Sequence, residues 1–126
     1  MKLNSNQENI RAPSIEGYGN GKFYVNGTAY DGSLLILPNK VISWPVREFS
    51  EINGSTLLPH INTNINVDLL LLGCGTSMWQ LSKSLKKSLD EIEITVEAMS
   101  TGAAVRTYNV LTGEKRRVAA ALISVE

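Results

Sequence analysis

The chain has no surplus of charge of either sign. Its 12 Lys and Arg are matched by 12 Asp and Glu, so no long-range field draws in nucleic acid or an anionic surface. Cysteine and histidine are nearly absent, with Cys74 and His60 the only examples. One cysteine excludes an internal disulfide framework and a multi-cysteine metal site, which fits a reducing compartment. One histidine, with no second histidine or carboxylate at ligand spacing, gives no metal signature. Long apolar runs are missing too. Runs such as Leu34 to Leu37 and Leu69 to Leu72 fall far short of the ~20 residues that cross a bilayer, so any membrane contact is expected to be peripheral. Residues 1–15 contain neither the apolar stretch of a signal peptide nor an Arg-rich transit pattern. The expectation is a polar tail over 1–14 and a single domain over 15–126, acting in the cytoplasm.

What is present suits such a domain: of 126 residues, 43% are apolar, enough for one core. Phe23 and Val25 alternate and meet Asn26-Gly27, a strong two-residue hairpin signal. Strands are expected over 22–25 and 28–37, interrupted at Asp31-Gly32, with a further short one over 41–44. Leu34-Leu35-Ile36-Leu37 and Val67 to Leu72 lack polar alternation, as strands buried on both faces do. Leu85, Leu89 and Ile92 recur at helical spacing behind Ser82, a candidate cap, and Lys83, Lys86 and Lys87 would solvate the outer face. A strand over 94–99, a helix from Thr101 to about Gly113 and a strand over 118–125 follow. Two strand–helix–strand units in succession predict a sheet that is parallel in this half. Residues 46–66 read poorly, with a short helix near 55–60.

Four stretches carry a family resemblance: Ile15 to Gly19, Tyr30 to Pro38, Asp68 to Gly75, and Val96 to Leu111 with its Thr107-Tyr108-Asn109. From residue 15 onward the sequence resembles the complex I assembly factor three family, which has mitochondrial, bacterial and archaeal members. The resemblance implies a three-layer α/β domain with a central mixed sheet, helices packed on it and an N-terminal β-hairpin. For the mitochondrial member it implies a role in assembling respiratory complex I; bacterial members lack an agreed activity. Cys74 stands where family members often carry Thr, and Trp79 to Ser84 where they have a proline-rich approach to the helix.

Candidate binding residues cluster at two loops. Gly73-Cys74-Gly75-Thr76 follows a buried strand, the position at which open α/β sheets bind ligands. A dinucleotide fingerprint fails because Met78 replaces its third glycine, and a phosphate-binding P-loop fails for want of Gly-Lys-Ser/Thr; no cofactor is expected. A plain tight turn is the competing reading. On the helix from Thr101, a projection at ~100° per residue puts Ala103, Ala104, Thr107, Val110 and Leu111 toward the sheet. Arg106 and Asn109 fall opposite, and Tyr108 falls at the boundary with its hydroxyl at the rim. Thr101 is expected to cap this helix, beside Gly102. If the loops share a sheet edge, Gly73, Gly75 and Thr76 face Thr101, Gly102 and Arg106 across a shallow pocket suited to a carboxylate or phosphate. Alternatively, Thr101 only caps and Arg106 pairs with Glu97 or a helix end. Glu114-Lys115-Arg116-Arg117 is expected to serve the helix terminus, and Trp44 and Trp79 to anchor the core. Cys74 has no sequence link to His60, so a nucleophilic pair is not expected.

Two functional readings result. The first is a non-enzymatic assembly or interaction protein whose partners are other proteins, respiratory-complex subunits among them. The second is a small-molecule or anion-binding protein, an enzyme of unknown reaction included, using the Gly73–Thr76 loop. A deep, polar, enclosed pocket there favours the second, and a shallow exposed apolar patch the first.

Overall fold

A computed structural model describes residues 12–62, 65–76 and 80–126; Trp79, Met78 and most of the expected tail lie outside the described residues. The elements in chain order are β1 (Ile15–Gly19), β2 (Lys22–Val25), β3 (Thr28–Asp31), β4 (Leu34–Leu37), β5 (Lys40–Ser43), a 3-10 turn (Phe49–Glu51), α1 (Gly54–Leu57), β6 (Leu69–Gly73), α2 (Lys83–Glu91), β7 (Thr95–Met99), α3 (Thr101–Gly113) and β8 (Val118–Leu122). They form an antiparallel sheet in the order β1-β2-β3 and a mixed sheet in the order β5-β4-β8-β6-β7.

The Asn26-Gly27 turn does what its chemistry predicts. Both residues take positive φ, 50° and 82°, and Val25 pairs with Thr28 across the turn, as a twisted two-residue hairpin requires. The N-terminal hairpin is nevertheless larger than expected. Ile15 to Gly19, for which no strand was expected, adds a third strand through pairs such as Tyr18 with Phe23. Gly32, at φ 81°, then redirects the chain into the large sheet.

The runs without alternation are buried on both sides because the large sheet is covered on both sides. Leu34, Ile36, Leu71, Val118, Ala120 and Leu122 meet Ala104, Val105 and Tyr108 of α3 and Phe23 and Val25 of the small sheet. Leu35, Leu37, Leu70, Leu72, Ala119 and Ala121 meet Leu85 and Leu89 of α2 together with Trp44, Leu57 and Ile61. This is the expected three-layer α/β arrangement around a mixed sheet. Each buried leucine contributes ~1.5–3 kcal/mol relative to exposure. The expected parallel half is present: β6 pairs in parallel with β7 and β8, while β4 is antiparallel to β8. Ser82 caps α2 by accepting the Leu85 N–H. Trp44 is buried and its indole donates to the Thr56 carbonyl, so it anchors the core as expected. Arg117 does not serve the end of α3; it ties β8 to the approach of β6 through Asp68, at 2.9 Å, and Asn66, at 3.0 Å.

Candidate functional site

The carboxyl ends of β6 and β8 point the same way, and the chain leaving each is held to its neighbours by backbone bonds. Cys74 N–H donates to Met99 O at 2.8 Å, and Ile123 N–H donates to Gly73 O at 2.9 Å. Gly73 is needed for this closeness. A methyl built on it would stand 3.1 Å from the Thr101 Cα and 3.0 Å from a Leu122 methyl. The two candidate loops do share this sheet edge, but they grip each other instead of facing each other across a gap. Thr101 N–H donates to Gly75 O at 2.8 Å, and the Gly75 N–H donates to the Thr101 hydroxyl at 3.0 Å. That hydroxyl in turn donates to Ile123 O at 2.7 Å. Thr101 is therefore a buried tie between three segments, not a cap. The cap is Ser100, whose hydroxyl accepts the Ala103 N–H at 3.3 Å.

The open space lies on the other side of the loop. A cleft of about 420 Å³ runs between Cys74-Gly75-Thr76, the 47–50 segment and residues 123–126. It is open to solvent and walled mainly by apolar surface. Gly75 and Thr76 line it, whereas Thr101, Gly102 and Arg106 do not. The charged residues at its rim are exposed Arg47, Glu48 and Glu126. Its other wall is fixed by Glu51, whose carboxylate accepts the backbone N–H groups of Arg47 at 2.6 Å and Glu48 at 3.1 Å. Those two bonds, Arg47's first, hold the Glu51 carboxyl below its ordinary range. Arg47 and residues 123–126 were missed from the sequence. The only local signal was the spacing of Glu48 and Glu51, which form a capping box, and Ser124 and Val125 read as a continuation of the last strand.

The α3 residues are rotated from their expected positions. Thr101, Ala104, Val105 and Tyr108 form the buried stripe, while Val110, expected to face the sheet, is 59% exposed. The small sheet lies over a second side of the helix and captures Tyr108 and Asn109. The Tyr108 hydroxyl donates to Pro13 O at 2.7 Å, and burial pushes its pKa up. Asn109 accepts the Ile15 N–H at 3.1 Å and donates to Ile15 O at 2.7 Å. Both are clamps on the start of β1, so neither reaches a ligand at the rim. Arg106 is exposed as expected. Neither ion pair among the described residues includes it, so the alternative pairing with Glu97 is not formed. Its guanidinium lies beside Gly102, under the tip of Tyr18; a methyl on Gly102 would stand 2.5 Å from the Tyr18 hydroxyl.

Cys74 is buried in the core cluster, with its sulfur 3.6 Å from Leu72 O. His60 sits in the turn after α1. Among the described residues no group of three or more His, Cys, Asp or Glu could hold a metal ion, and no helix is long and apolar enough to cross a membrane.

The chain is 38% identical over 109 residues to an uncharacterised protein of Rhodobacter capsulatus, covering 86% of this chain and 82% of that one. It is 29% identical over 109 residues to NADH dehydrogenase [ubiquinone] 1 alpha subcomplex assembly factor 3 of Xenopus tropicalis, covering 86% of this chain but 60% of that protein's length. A crystal structure of a protein from Bordetella parapertussis superposes with a TM-score of 0.83 at 32% identity, covering 92% of this chain and 98% of that one. With residues 15–123, nearly the whole described fold, matched by its family model, the chain belongs to the family of proteins of unknown function DUF498/DUF598.

Proposed function

We propose that this chain is a non-enzymatic interaction protein that supports assembly of a respiratory, complex I-type NADH dehydrogenase or another membrane-associated complex, acting from the cytoplasm with at most peripheral membrane contact. The observation that carries this reading is the likeness to assembly factor 3 proteins across the body of the fold, 86% of this chain in the Xenopus tropicalis comparison. The site agrees with it. The cleft at the sheet edge is open and largely apolar, with a cation at its rim, the character of a surface that receives a protein segment more than that of a chamber that excludes water around a reacting molecule. Of the residues singled out from sequence, Thr76 and Arg106 are exposed and Gly75 lines the cleft. Gly73, Thr101, Tyr108 and Asn109 hold the fold that presents them.

The second reading, a site for a small anion, keeps one observation in its favour: Arg47 beside Gly75 and Thr76 at the carboxyl ends of parallel strands. The two are separated by purifying the tagged chain from the organism that encodes it and quantifying co-purifying proteins against an untagged control. Stoichiometric enrichment of subunits of one membrane complex is the expected result. Enrichment of none, together with a small anion recovered bound to the purified chain, would overturn the assembly reading in favour of the second.

A further inference from the structure

α2 carries its charges in the order its own backbone disfavours. The amino end of a helix is its positive pole and the carboxyl end its negative pole, so acids belong first and bases last. Here Lys83 is the first helical residue and Lys86 and Lys87 follow one turn on, with no acid in the first turn. Asp90 and Glu91 end the helix and Glu93 follows it, with no base in the last turn. Lys83 further meets Lys86 and Lys87 at the spacings where like charges repel. Lys86 with Asp90 and Lys87 with Glu91 stand in the weaker order for such pairs, and neither is among the ion pairs of the described residues. All six charged residues are exposed, while Leu85 and Leu89 hold the buried face. The reverse order would solvate the helix equally well at no cost in packing. A local rule broken without a structural gain points to function.

The topology shows where this charge is displayed. β6 and β7 are parallel neighbours, so the connecting helix runs back against them. Its lysine end lies toward the carboxyl edge of the sheet, the edge that bears the Cys74–Thr76 cleft, and Asp90 and Glu91 lie about 10–12 Å along the axis from Lys83 at 1.5 Å per residue. Side-chain charges and macrodipole add, making a positive pole in a chain whose net charge is zero.

We infer that Lys83, Lys86 and Lys87 form the docking surface for an acidic segment of a partner protein; this rests on the reading of the chain as an interaction module. Charge complementarity selects the occupant. A lipid surface fits poorly because the apolar residues of α2 are turned into the core, leaving nothing to insert, and stable anchoring takes two signals.

The test uses the full chain and a fluorescein-labelled peptide of alternating Glu and Ser, followed by anisotropy. Binding is expected at about 50 mM salt and to weaken at least about tenfold at about 300 mM. Lys83→Glu/Lys86→Glu/Lys87→Glu is expected to weaken it at least about tenfold. Lys40→Glu/Lys115→Glu/Arg116→Glu, with the same change in net charge elsewhere, should stay within about twofold of wild type. If the reversal does not fold, the triple Ala variant serves in its place for binding. Equal loss in both triple variants, no loss in the α2 variant, or sedimentation with phosphatidylserine vesicles without peptide binding would overturn the inference. A chain that binds the peptide yet co-purifies with no membrane complex would remove the assembly role and leave this surface standing.

Discussion

Tyr108 and Asn109 stand side by side on α3, and each spends its polar group on the same short piece of chain, Pro13 to Ile15. They are the most recognisable residues of the sequence pattern, yet their work is structural: a helix buried on two sides needs polar groups where an incoming strand brings unpaired peptide groups across it. Tyr108→Phe leaves Pro13 O without that donor in a buried place and should cost about 1–2 kcal/mol. Arg106→Ala, two residues away and exposed, should cost less than about 1 kcal/mol. Urea denaturation of the two variants checks the ordering, and an Arg106 variant at least as unstable as the Tyr108 variant would contradict it. Arg106 was legible as exposed because it is the one charge on its helix. Tyr108 was not, because a phenol at a stripe boundary fits burial and rim equally well until the second layer is known.

At the scale of elements, amphipathic α2 was readable to its cap, since strong alternation of leucine and lysine leaves one solution. α3 was readable in extent but not in rotation. Twelve of its thirteen residues are uncharged, so several arcs look apolar, and the choice is made by the β1-β2-β3 sheet, whose first strand the sequence signals only weakly. The 47–51 segment was opaque for a different reason: its order comes from one carboxylate bonding two backbone amides, not from periodicity. Because those bonds hold the Glu51 carboxyl below its ordinary value of 4.5, the order they supply is complete above about pH 4.5. It is lost as pH falls through the lower folded value. The Arg47 amide resonance should therefore titrate with a midpoint below 4.5 in wild type and lose that titration in Glu51→Gln. A midpoint at or above 4.5 would mean that the wall of the cleft is not held in this way.

For the whole molecule, the three-layer plan was implied by the family resemblance; two apolar runs without alternation agree with a sheet covered on both faces, and β–α–β spacing sets its parallel half. The candidate site was legible only as a place, the carboxyl edge at Gly73 to Thr76. Its walls come from the unreadable 47–50 segment and from the last residues of the chain, brought there by the β8–β6 pairing. That edge collects the open cleft, Arg47 and the lysine end of α2, the features on which the proposed interaction role rests. Deleting the gene in the organism that encodes it and resolving its membrane complexes on native gels is the decisive measurement. Loss of the mature NADH dehydrogenase with accumulation of partial assemblies, restored by the wild-type chain and not by a chain reversed at Lys83, Lys86 and Lys87, is the expected result. A full complement of mature, active membrane complexes in the deletion strain would contradict it.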